Sequence, residues 1–185
     1  MKNNQENTEP FDLKAEIFSW IKIIITAAFI ALFLNSCIIA NSRVPTGSME
    51  NTIPSESRIL GSRLTYKFSE PERGDIAIFR FPDDESIYYV KRIIGLPGET
   101  IDIKSGKIYI NNSETPLDEP YLKEKWTDDN DDFHFVVPQD CYLMLGDNRN
   151  DSRDARFWKN QYVAKDKLTA KVYLEYYPQF KFLDN

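Results

Sequence analysis

An apolar run near the N-terminus constrains this chain more than any other feature. The segment Ile17 to Ala40 reads IFSWIKIIITAAFIALFLNSCIIA, and its unbroken core, Ile23 to Leu34, contains no polar residue except Thr26. A helix without a polar face needs lipid or a deep protein core around it. Trp20 and Lys22 suit a membrane interface, because indole rings anchor there and lysine chains snorkel. We therefore predict one transmembrane span over residues 17–40.

A cleaved signal peptide is the main alternative to an uncleaved anchor. Such peptides begin with basic residues, but residues 1–16 carry four acidic side chains against two lysines. No clear small-x-small cleavage site follows the apolar core, although Ala40-Asn41-Ser42 comes close. The sequence therefore favours a retained anchor, with residues 1–16 as a tail and residues 41–185 as a globular domain.

The composition narrows the possible functions. The chain has 185 residues, a net charge of −6 and no basic patch, so we expect no nucleic-acid partner. Two cysteines argue against a disulfide scaffold, and the single histidine, His134, argues against a His-rich zinc site. His134 follows the acidic run 127–132, which is typical of a loop, so a Ser-His-Asp triad is disfavoured rather than excluded. We expect no cofactor and no metal.

The residues after the anchor predict a mostly β domain. Short runs of alternating or apolar residues recur between turn signals, which is typical of a barrel-like or sandwich-like core. A helical turn is also expected over Arg153 to Trp158. The expected strands are Arg58–Tyr66, Ile76–Phe81, Ile87–Ile94, Thr100–Lys104, Lys107–Asn111, Phe133–Val137, Cys141–Leu145 and Leu168–Tyr177.

A candidate nucleophile lies just beyond the anchor, in Pro45-Thr46-Gly47-Ser48-Met49. A serine hydroxyl attacks a carbonyl only when a base removes its proton. Gly47 would let the backbone approach a substrate, and the Thr46 hydroxyl with the Ser48 amide could hold a developing oxyanion. Taken alone, the same pentapeptide is more typical of an ordinary turn beside a membrane.

Lys91 is the candidate base. It lies within the apolar run Ile87 to Ile94, where burial would disfavour its charged form and lower its pKa. A neutral lysine amine can serve as a general base near neutral pH. The alternative is a lysine on the exposed face of an edge strand, and the alternation of this run does not decide between the two.

The segment Gly146 to Arg156 reads GDNRNDSRDAR and could be a solvated loop. It directly follows an apolar strand, however, and Asp154 could pair with Arg156. Ser152 could donate a hydrogen bond to the neutral Lys91 amine and orient it. A metal site is disfavoured, because the acidic residues are crowded and mixed with arginine.

Together these segments resemble the type I signal peptidases, which are membrane-bound Ser/Lys proteases. Four blocks occur in the order that this family shows, behind an anchor. The single short anchor and compact insertion are similar to Gram-positive members. The blocks are Pro45–Met49, Arg73–Phe79, Tyr89–Glu99 and Gly146–Arg156.

The resemblance implies a role for each matching residue. Ser48 is implied as nucleophile and Lys91 as general base, with Thr46 at the oxyanion hole and Ser152 orienting the lysine. Residues implied to support the site are Arg92, Asp147, Asp154 and Arg156. Residues implied to line shallow pockets for small substrate side chains are Val44, Met49, Ile53, Tyr89 and Val90.

The resemblance also implies the architecture and the partners. The expected fold is an antiparallel β catalytic domain on the extracytoplasmic side, with a short inserted β subdomain over about 99–139 and residues 1–16 in the cytoplasm. Secretory preproteins with Ala-X-Ala-like cleavage sites and the lipid bilayer are the implied partners, while the oligomeric state stays open. Asn51 departs from the usual proline, and Asp151, which we expect to face solvent, departs from the common asparagine.

Two other functions compete with this one. A soluble, self-cleaving Ser/Lys protease of the repressor type would need no anchor. A non-catalytic relative that assists surface assembly would lack the nucleophile or the lysine, and both are present here.

Overall fold

The computed structural model describes residues 13–127 and 132–183 and begins with one long helix. This helix, α1 (Leu13–Phe33), has no buried residue, and a π-helical turn (Leu34–Ile38) follows it directly. Its 21 residues span about 31 Å, which matches the hydrocarbon thickness of a bilayer. Among the residues described, this is the one helix long and apolar enough to cross a membrane.

The end of the predicted span belongs to the globular domain. Ile39 and Ala40 lie in the first strand rather than in the helix, so no linker separates the two. Two hydrogen bonds hold this junction: the Arg63 amide donates to the Ile38 carbonyl at 2.8 Å, and Arg63 Nε donates to the Ile39 carbonyl at 3.3 Å.

Strands make up most of the remaining structure. Short helical turns occur at Gly47–Met49, Thr65–Phe68, Arg149–Asp151 and Lys165–Lys167. The strands are β1 (Ile39–Val44), β2 (Ser57–Ser62), β3 (Ile76–Phe81), β4 (Asp84–Gly95), β5 (Thr100–Lys104), β6 (Lys107–Ile110), β7 (Phe133–Val136), β8 (Cys141–Leu145), β9 (Tyr162–Ala164), β10 (Leu168–Tyr177) and β11 (Lys181–Phe182).

The strands form two antiparallel sheets. The larger sheet has the order β1-β2-β10-β3-β4-β8-β9, with β11 added to β10, and the smaller has the order β6-β5-β7. The smaller sheet begins at Thr100 and ends at Val136, within the region expected to be an insertion. The predicted fold class, an N-terminal apolar helix with a mostly antiparallel β domain, is confirmed.

The larger sheet is buried on both faces at its centre. Ile76 and Ile78 of β3 belong to one hydrophobic cluster, while Ala77 and Phe79 belong to the other. A strand buried on both sides loses the alternation of polar and apolar residues. This explains why the pattern around Lys91, on the neighbouring strand, did not show which of its faces is buried.

Several predicted boundaries were wrong. The strand expected to reach Tyr66 ends at Ser62, because a helical turn follows at Thr65–Phe68. The turn expected at Arg153–Trp158 is a single hydrogen-bonded turn at residues 155–157, and a 3-10 turn that was not predicted precedes it at Arg149–Asp151. The strands β9 and β11 were not predicted, since they contain too few residues to show a clear period. β1 was missed because its first two residues were assigned to the apolar span.

Candidate active site

Ser48 lies in a tight turn, Gly47–Met49, that begins three residues after β1 ends. The turn closes through the Glu50 amide, which donates to the Gly47 carbonyl at 3.0 Å, and through the Ile53 amide, which donates to the Met49 carbonyl at 2.7 Å. Met49 and Ile53 are fully buried and anchor the turn to the core. The Ser48 side chain is consequently held in one place, and the residue is 7% exposed.

Lys91 reaches this turn from β4. It pairs with Ala77 of β3. Lys91 Nζ is hydrogen-bonded to Ser48 Oγ, across 43 residues of sequence, and lies 5.6 Å from the ring centre of Tyr89. The structure thus brings together the two residues predicted to react.

Burial changes the protonation of this lysine. Lys91 is 4% exposed, and loss of hydration lowers its pKa from 10.5 to about 8. The carboxylates of Asp154 and Asp147 oppose this fall, while the Arg156 guanidinium adds to it. Near neutral pH a useful fraction of Lys91 is therefore the neutral amine, which can accept the serine proton.

Thr46 and the Ser48 amide lie where an oxyanion could form. Thr46 Oγ1 is 3.4 Å from Ser48 Oγ and the residue is exposed at the cleft. The Ser48 amide is in the first turn of a short 3-10 helix, where backbone N–H groups have no acceptor within the helix. Both groups are suited to donate to a negatively charged oxygen.

The loop after β8, residues 146–156, packs against the nucleophile turn. The Asn148 amide donates to the Ser48 carbonyl at 3.1 Å, and Asn148 Nδ2 donates to the Gly47 carbonyl at 3.0 Å. A Cβ on Gly146 would lie only 2.5 Å from the Ser48 carbonyl oxygen. Glycine is therefore required at position 146 for the two segments to come this close.

Ser152 is buried beside the dyad, but its predicted hydrogen bond to Lys91 is not formed. Within the described residues, Ser152 Oγ has no hydrogen-bond partner. The oxygen lies against Gly146, where an added Cβ would be 2.2 Å away. Ser152 is thus in position near the nucleophile, and its role in orienting Lys91 stays a prediction.

Two buried ion pairs, both predicted as supporting residues, flank the site. Arg92 donates to both carboxylate oxygens of Asp147, at 2.9 and 2.7 Å, and Thr52 Oγ1 donates to the same carboxylate at 2.5 Å. Arg156 donates to both oxygens of Asp154, at 2.8 and 3.0 Å. Because each charge is paired, these groups can be buried around Lys91 without a carboxylate bonding the lysine itself.

A third buried pair was missed by the sequence analysis. Arg149 donates to both carboxylate oxygens of Glu119 at 2.6 and 3.1 Å, and the arginine is 3% exposed. Both residues lie in segments that looked solvated because they are rich in polar side chains. The aromatic residues Tyr121 and Trp126 beside Glu119 were the available signal that this segment packs onto the domain.

A cleft of about 380 Å³ opens onto the dyad. Of the five residues implied to line substrate pockets, Val44, Tyr89 and Val90 line this cleft, whereas Met49 and Ile53 belong to a buried hydrophobic cluster. Asp151, expected to face solvent, is exposed at the same cleft. The other lining residues are Ser42, Arg43, Pro45, Thr46, Gly47, Ser48, Ile87, Tyr88, Lys91 and Arg153.

His134 lies in the small sheet. It pairs with Asp102 between β7 and β5, and its Nδ1 is 2.9 Å from an Asp102 carboxylate oxygen. Over residues 13–127 and 132–183, no group of three His, Cys, Asp or Glu side chains could hold a metal ion.

Known proteins resemble this chain over most of its length. Residues 17–177 match the family described as signal peptidase, peptidase S26. Signal peptidase I of Bacillus amyloliquefaciens is 36% identical over 181 residues, which cover 91% of this chain and 94% of that protein. A probable signal peptidase I-2 of Synechocystis sp. is 32% identical over 162 residues, covering 85% of this chain and 72% of that protein. A crystal structure of a signal peptidase I from Enterococcus faecalis V583 gives a TM-score of 0.47 at 31% identity, covering 56% of this chain and 97% of that one.

Proposed function

This chain belongs to the signal peptidase family, peptidase S26, and on that premise we propose that Ser48 and Lys91 are the nucleophile and the general base of its reaction. It is a signal peptidase I hydrolase, a protease that cleaves signal peptides from preproteins. The hydrogen bond between Ser48 Oγ and Lys91 Nζ, both buried at the end of a cleft, is the observation that carries the proposal.

Acylation begins with the neutral Lys91 amine. The amine accepts the Ser48 proton as the serine oxygen attacks the scissile carbonyl carbon. The carbonyl oxygen becomes an oxyanion, which accepts hydrogen bonds from the Ser48 amide and the Thr46 hydroxyl. The lysine ammonium then gives its proton to the departing amine, so the C–N bond breaks and an acyl ester remains on Ser48.

Deacylation repeats the same proton transfers with water. Lys91, neutral again, removes a proton from water as the water oxygen attacks the ester. The second oxyanion collapses, the Ser48 oxygen leaves and recovers its proton from Lys91, and the signal peptide is released with a free carboxylate. The two buried ion pairs keep their charges throughout, so Lys91 is the group that cycles between protonation states.

The cleft suits small side chains before the scissile bond. Val44 and Val90 are apolar lining residues, and Tyr89 is an aromatic one. A shallow apolar pocket admits an alanine methyl group and excludes longer side chains by overlap. We infer a preference for Ala-X-Ala-like cleavage sites.

The enzyme's place at the membrane follows from α1. We infer that α1 crosses the bilayer once, with residues 1–16 in the cytoplasm and the β domain outside, where translocated signal peptides end. Ser48 lies nine positions after Ile39, and an extended chain of that length spans at most about 32 Å. The nucleophile is therefore held within reach of the membrane surface, where the cleavage junction of a preprotein emerges.

The formed dyad counts against the non-catalytic alternative. A protein that only assists assembly has no need to desolvate Lys91, which costs stability. No comparable observation in the described residues favours that function.

The proposal is tested by processing a preprotein with the purified full chain in detergent. We expect Ser48→Ala and Lys91→Met each to lower the cleavage rate by at least ~10²-fold, because one removes the nucleophile and the other the base. Lys107→Met is the matched control, since Lys107 is an exposed lysine of the small sheet. Equal cleavage by wild type, Ser48→Ala and Lys91→Met would refute the proposed dyad.

A further inference from the structure

A segment of the insertion lies across the catalytic elements. Residues 119–127, here called the strap, connect β6 toward β7 and contain neither helix nor strand. Its course therefore depends on side-chain and backbone contacts with other parts of the protein. Those contacts fall on three segments that carry catalytic or supporting residues.

The first contact is with the nucleophile turn. Asn51 Nδ2 donates to the carbonyls of Tyr121 and Leu122, at 3.2 and 3.4 Å. Lys123 Nζ donates to a carboxylate oxygen of Glu50 at 2.6 Å. Glu50 and Asn51 lie within three residues of Ser48. The strap is therefore bonded to the turn that holds the proposed nucleophile.

The second contact is with the residue beside Lys91. The guanidinium of Arg92 lies 3.9 Å from the ring centre of Tyr121. The Tyr121 hydroxyl donates in turn to a carboxylate oxygen of Glu119 at 2.7 Å. The strap thus covers the strand position next to the base and links it to Glu119.

The third contact is with the loop of residues 146–156. The Glu119–Arg149 pair is buried, and the Trp126 ring centre lies 5.3 Å from the Arg149 guanidinium and 4.9 Å from that of Arg156. The side chain of Asn150 bonds the strap backbone twice: its Oδ1 accepts from the Thr127 amide at 2.9 Å, and its Nδ2 donates to the Lys125 carbonyl at 3.1 Å.

A short chain of contacts leads from this pair to the nucleophile. Arg149 Nε donates to the Gly146 carbonyl at 2.9 Å. Gly146 in turn lies against the Ser48 carbonyl and Ser152, in a space too small for a Cβ. A shift of Arg149 would therefore move the backbone that supports Ser48.

We propose that the strap positions the catalytic groups, with the Glu119–Arg149 pair as its principal contact. The strap fixes the nucleophile turn and the 146–156 loop relative to each other, and so sets the approach of Ser48 to Lys91. Glu119 is a positioning residue, because it acts through Arg149 and Gly146 and touches neither substrate nor the reacting atoms. This inference rests on the proposed function and adds the insertion to the machinery of that same site.

The test compares two glutamates of the strap in the full chain in detergent. Glu119→Gln keeps the size and the acceptor for Tyr121 but leaves the buried Arg149 without a carboxylate. Glu124→Gln removes an equal charge from an exposed residue that makes no hydrogen bond or ion pair within the described structure. We expect kcat of Glu119→Gln to fall about 10-fold, with KM within ~2-fold, since misplacement of reacting groups lowers kcat while the cleft lining is unchanged.

The pH profile separates positioning from a simple charge effect. Loss of a negative charge near Lys91, by Coulomb's law alone, would lower the pKa of the lysine and shift the midpoint of the rate profile to lower pH. A loosened strap admits water to Lys91, which raises its pKa and shifts the midpoint to higher pH. We expect the shift to higher pH for Glu119→Gln and none for Glu124→Gln. A shift to lower pH would overturn the proposal.

A second variant covers the case in which Glu119→Gln does not fold. Asn51 has a φ of 76°, and Asn51→Gly permits that backbone while removing the amide bonds to the strap. We expect a fall in kcat of ~3-fold or more with KM preserved. A folded variant whose kcat stays within ~2-fold of Glu124→Gln would overturn the strap proposal. The proposed function would stand in that case, provided that Ser48→Ala remains inactive in the same assay.

Discussion

Lys91 and Arg92 are consecutive residues of β4, yet they meet opposite electrostatic environments. Arg92 is bonded to both oxygens of the Asp147 carboxylate, so its charge is buried together with a counter-charge. Lys91 is bonded to the neutral hydroxyl of Ser48, so its charge would be buried without one in direct contact. Adjacent positions on one strand thus hold a permanent cation and a lysine that can lose its proton.

The rate of cleavage should rise with pH through the pKa of Lys91. In the proposed mechanism the neutral amine is the active form, and burial lowers its pKa to about 8. Activity should accordingly be low at pH 6, half-maximal near pH 8 and level above it. A profile of kcat/KM against pH for the free enzyme measures this. A rate that is constant from pH 6 to pH 9 would contradict the assignment of Lys91 as the base.

Lys91→Met should inactivate the protein and stabilise it near neutral pH. In the folded state the pKa of Lys91 is depressed from 10.5 to about 8, so the unfolded chain binds more protons between those values. The depressed pKa therefore lowers the free energy of unfolding by at most about 3 kcal/mol. This destabilisation is fully present below about pH 8 and is lost as the pH approaches 10.5.

The expected gain in unfolding free energy is therefore largest at pH 7. Thermal unfolding in detergent, followed at pH 7 and pH 10, should show Lys91→Met above wild type at pH 7 and closer to it at pH 10. The exposed Lys107→Met provides the comparison and should be neutral at both values. A stabilisation independent of pH would indicate better packing by methionine rather than relief of a buried charge.

Removing one partner of a buried ion pair should lower the free energy of unfolding far more than removing one partner of an exposed pair. Asp147→Asn leaves the Arg92 guanidinium, which is 2% exposed, without a carboxylate, and should lower the unfolding free energy by about 3–5 kcal/mol. Glu56→Gln breaks an exposed pair, in which the Arg43 side chain is 66% exposed and the Glu56 side chain 54%. This change should lower the unfolding free energy by less than about 1 kcal/mol. Denaturant unfolding of the two variants measures the difference. A similar loss of unfolding free energy in the two variants would show that burial does not determine the effect of breaking an ion pair.

Gly146→Ala should abolish activity. The new Cβ would lie 2.5 Å from the Ser48 carbonyl oxygen and 2.2 Å from Ser152 Oγ, so the loop must move away from the nucleophile turn. We expect a loss of about 10²-fold in kcat or more, because a small displacement of reacting groups is enough for that. The double variant Gly146→Ala with Ser152→Ala should not recover, since the backbone contact with Ser48 remains. Recovery in the double variant would show that the Ser152 hydroxyl alone carries the clash.

The sequence predicted the elements that have a strong local pattern. The apolar helix, the β5–β6 hairpin and the strand holding Lys91 all follow from periodicity and turn residues. The boundary between the helical segment and β1 could not be predicted in this way, because Ile39 and Ala40 are as apolar as the helix before them. Hydropathy alone does not distinguish an apolar residue in lipid from one in a sheet.

The contact between Ser48 and Lys91, the proposed reacting pair, could be predicted, but most of the contacts that support it could not. Ser48 and Lys91 each stand in a recognisable block, whereas Glu119 lies in a segment with no period and contacts Arg149 across 30 residues. Met49 and Ile53 were expected at the cleft and lie in the core, since the turn directs Ser48 outward and its apolar neighbours inward. Asn51 likewise has a role visible only in three dimensions: its φ of 76° excludes proline, and its amide reaches the strap.

The continuous passage from α1 into β1 has a consequence for how this enzyme meets its targets. A catalytic domain on a flexible linker would vary in its distance from the bilayer. Here the chain enters the sheet at Ile39 directly after the helical segment, and two hydrogen bonds hold the junction. In the membrane arrangement proposed above, this junction would fix the distance of Ser48 from the bilayer surface. We expect preproteins to be sorted by how far their scissile bond protrudes as well as by the residues that precede it.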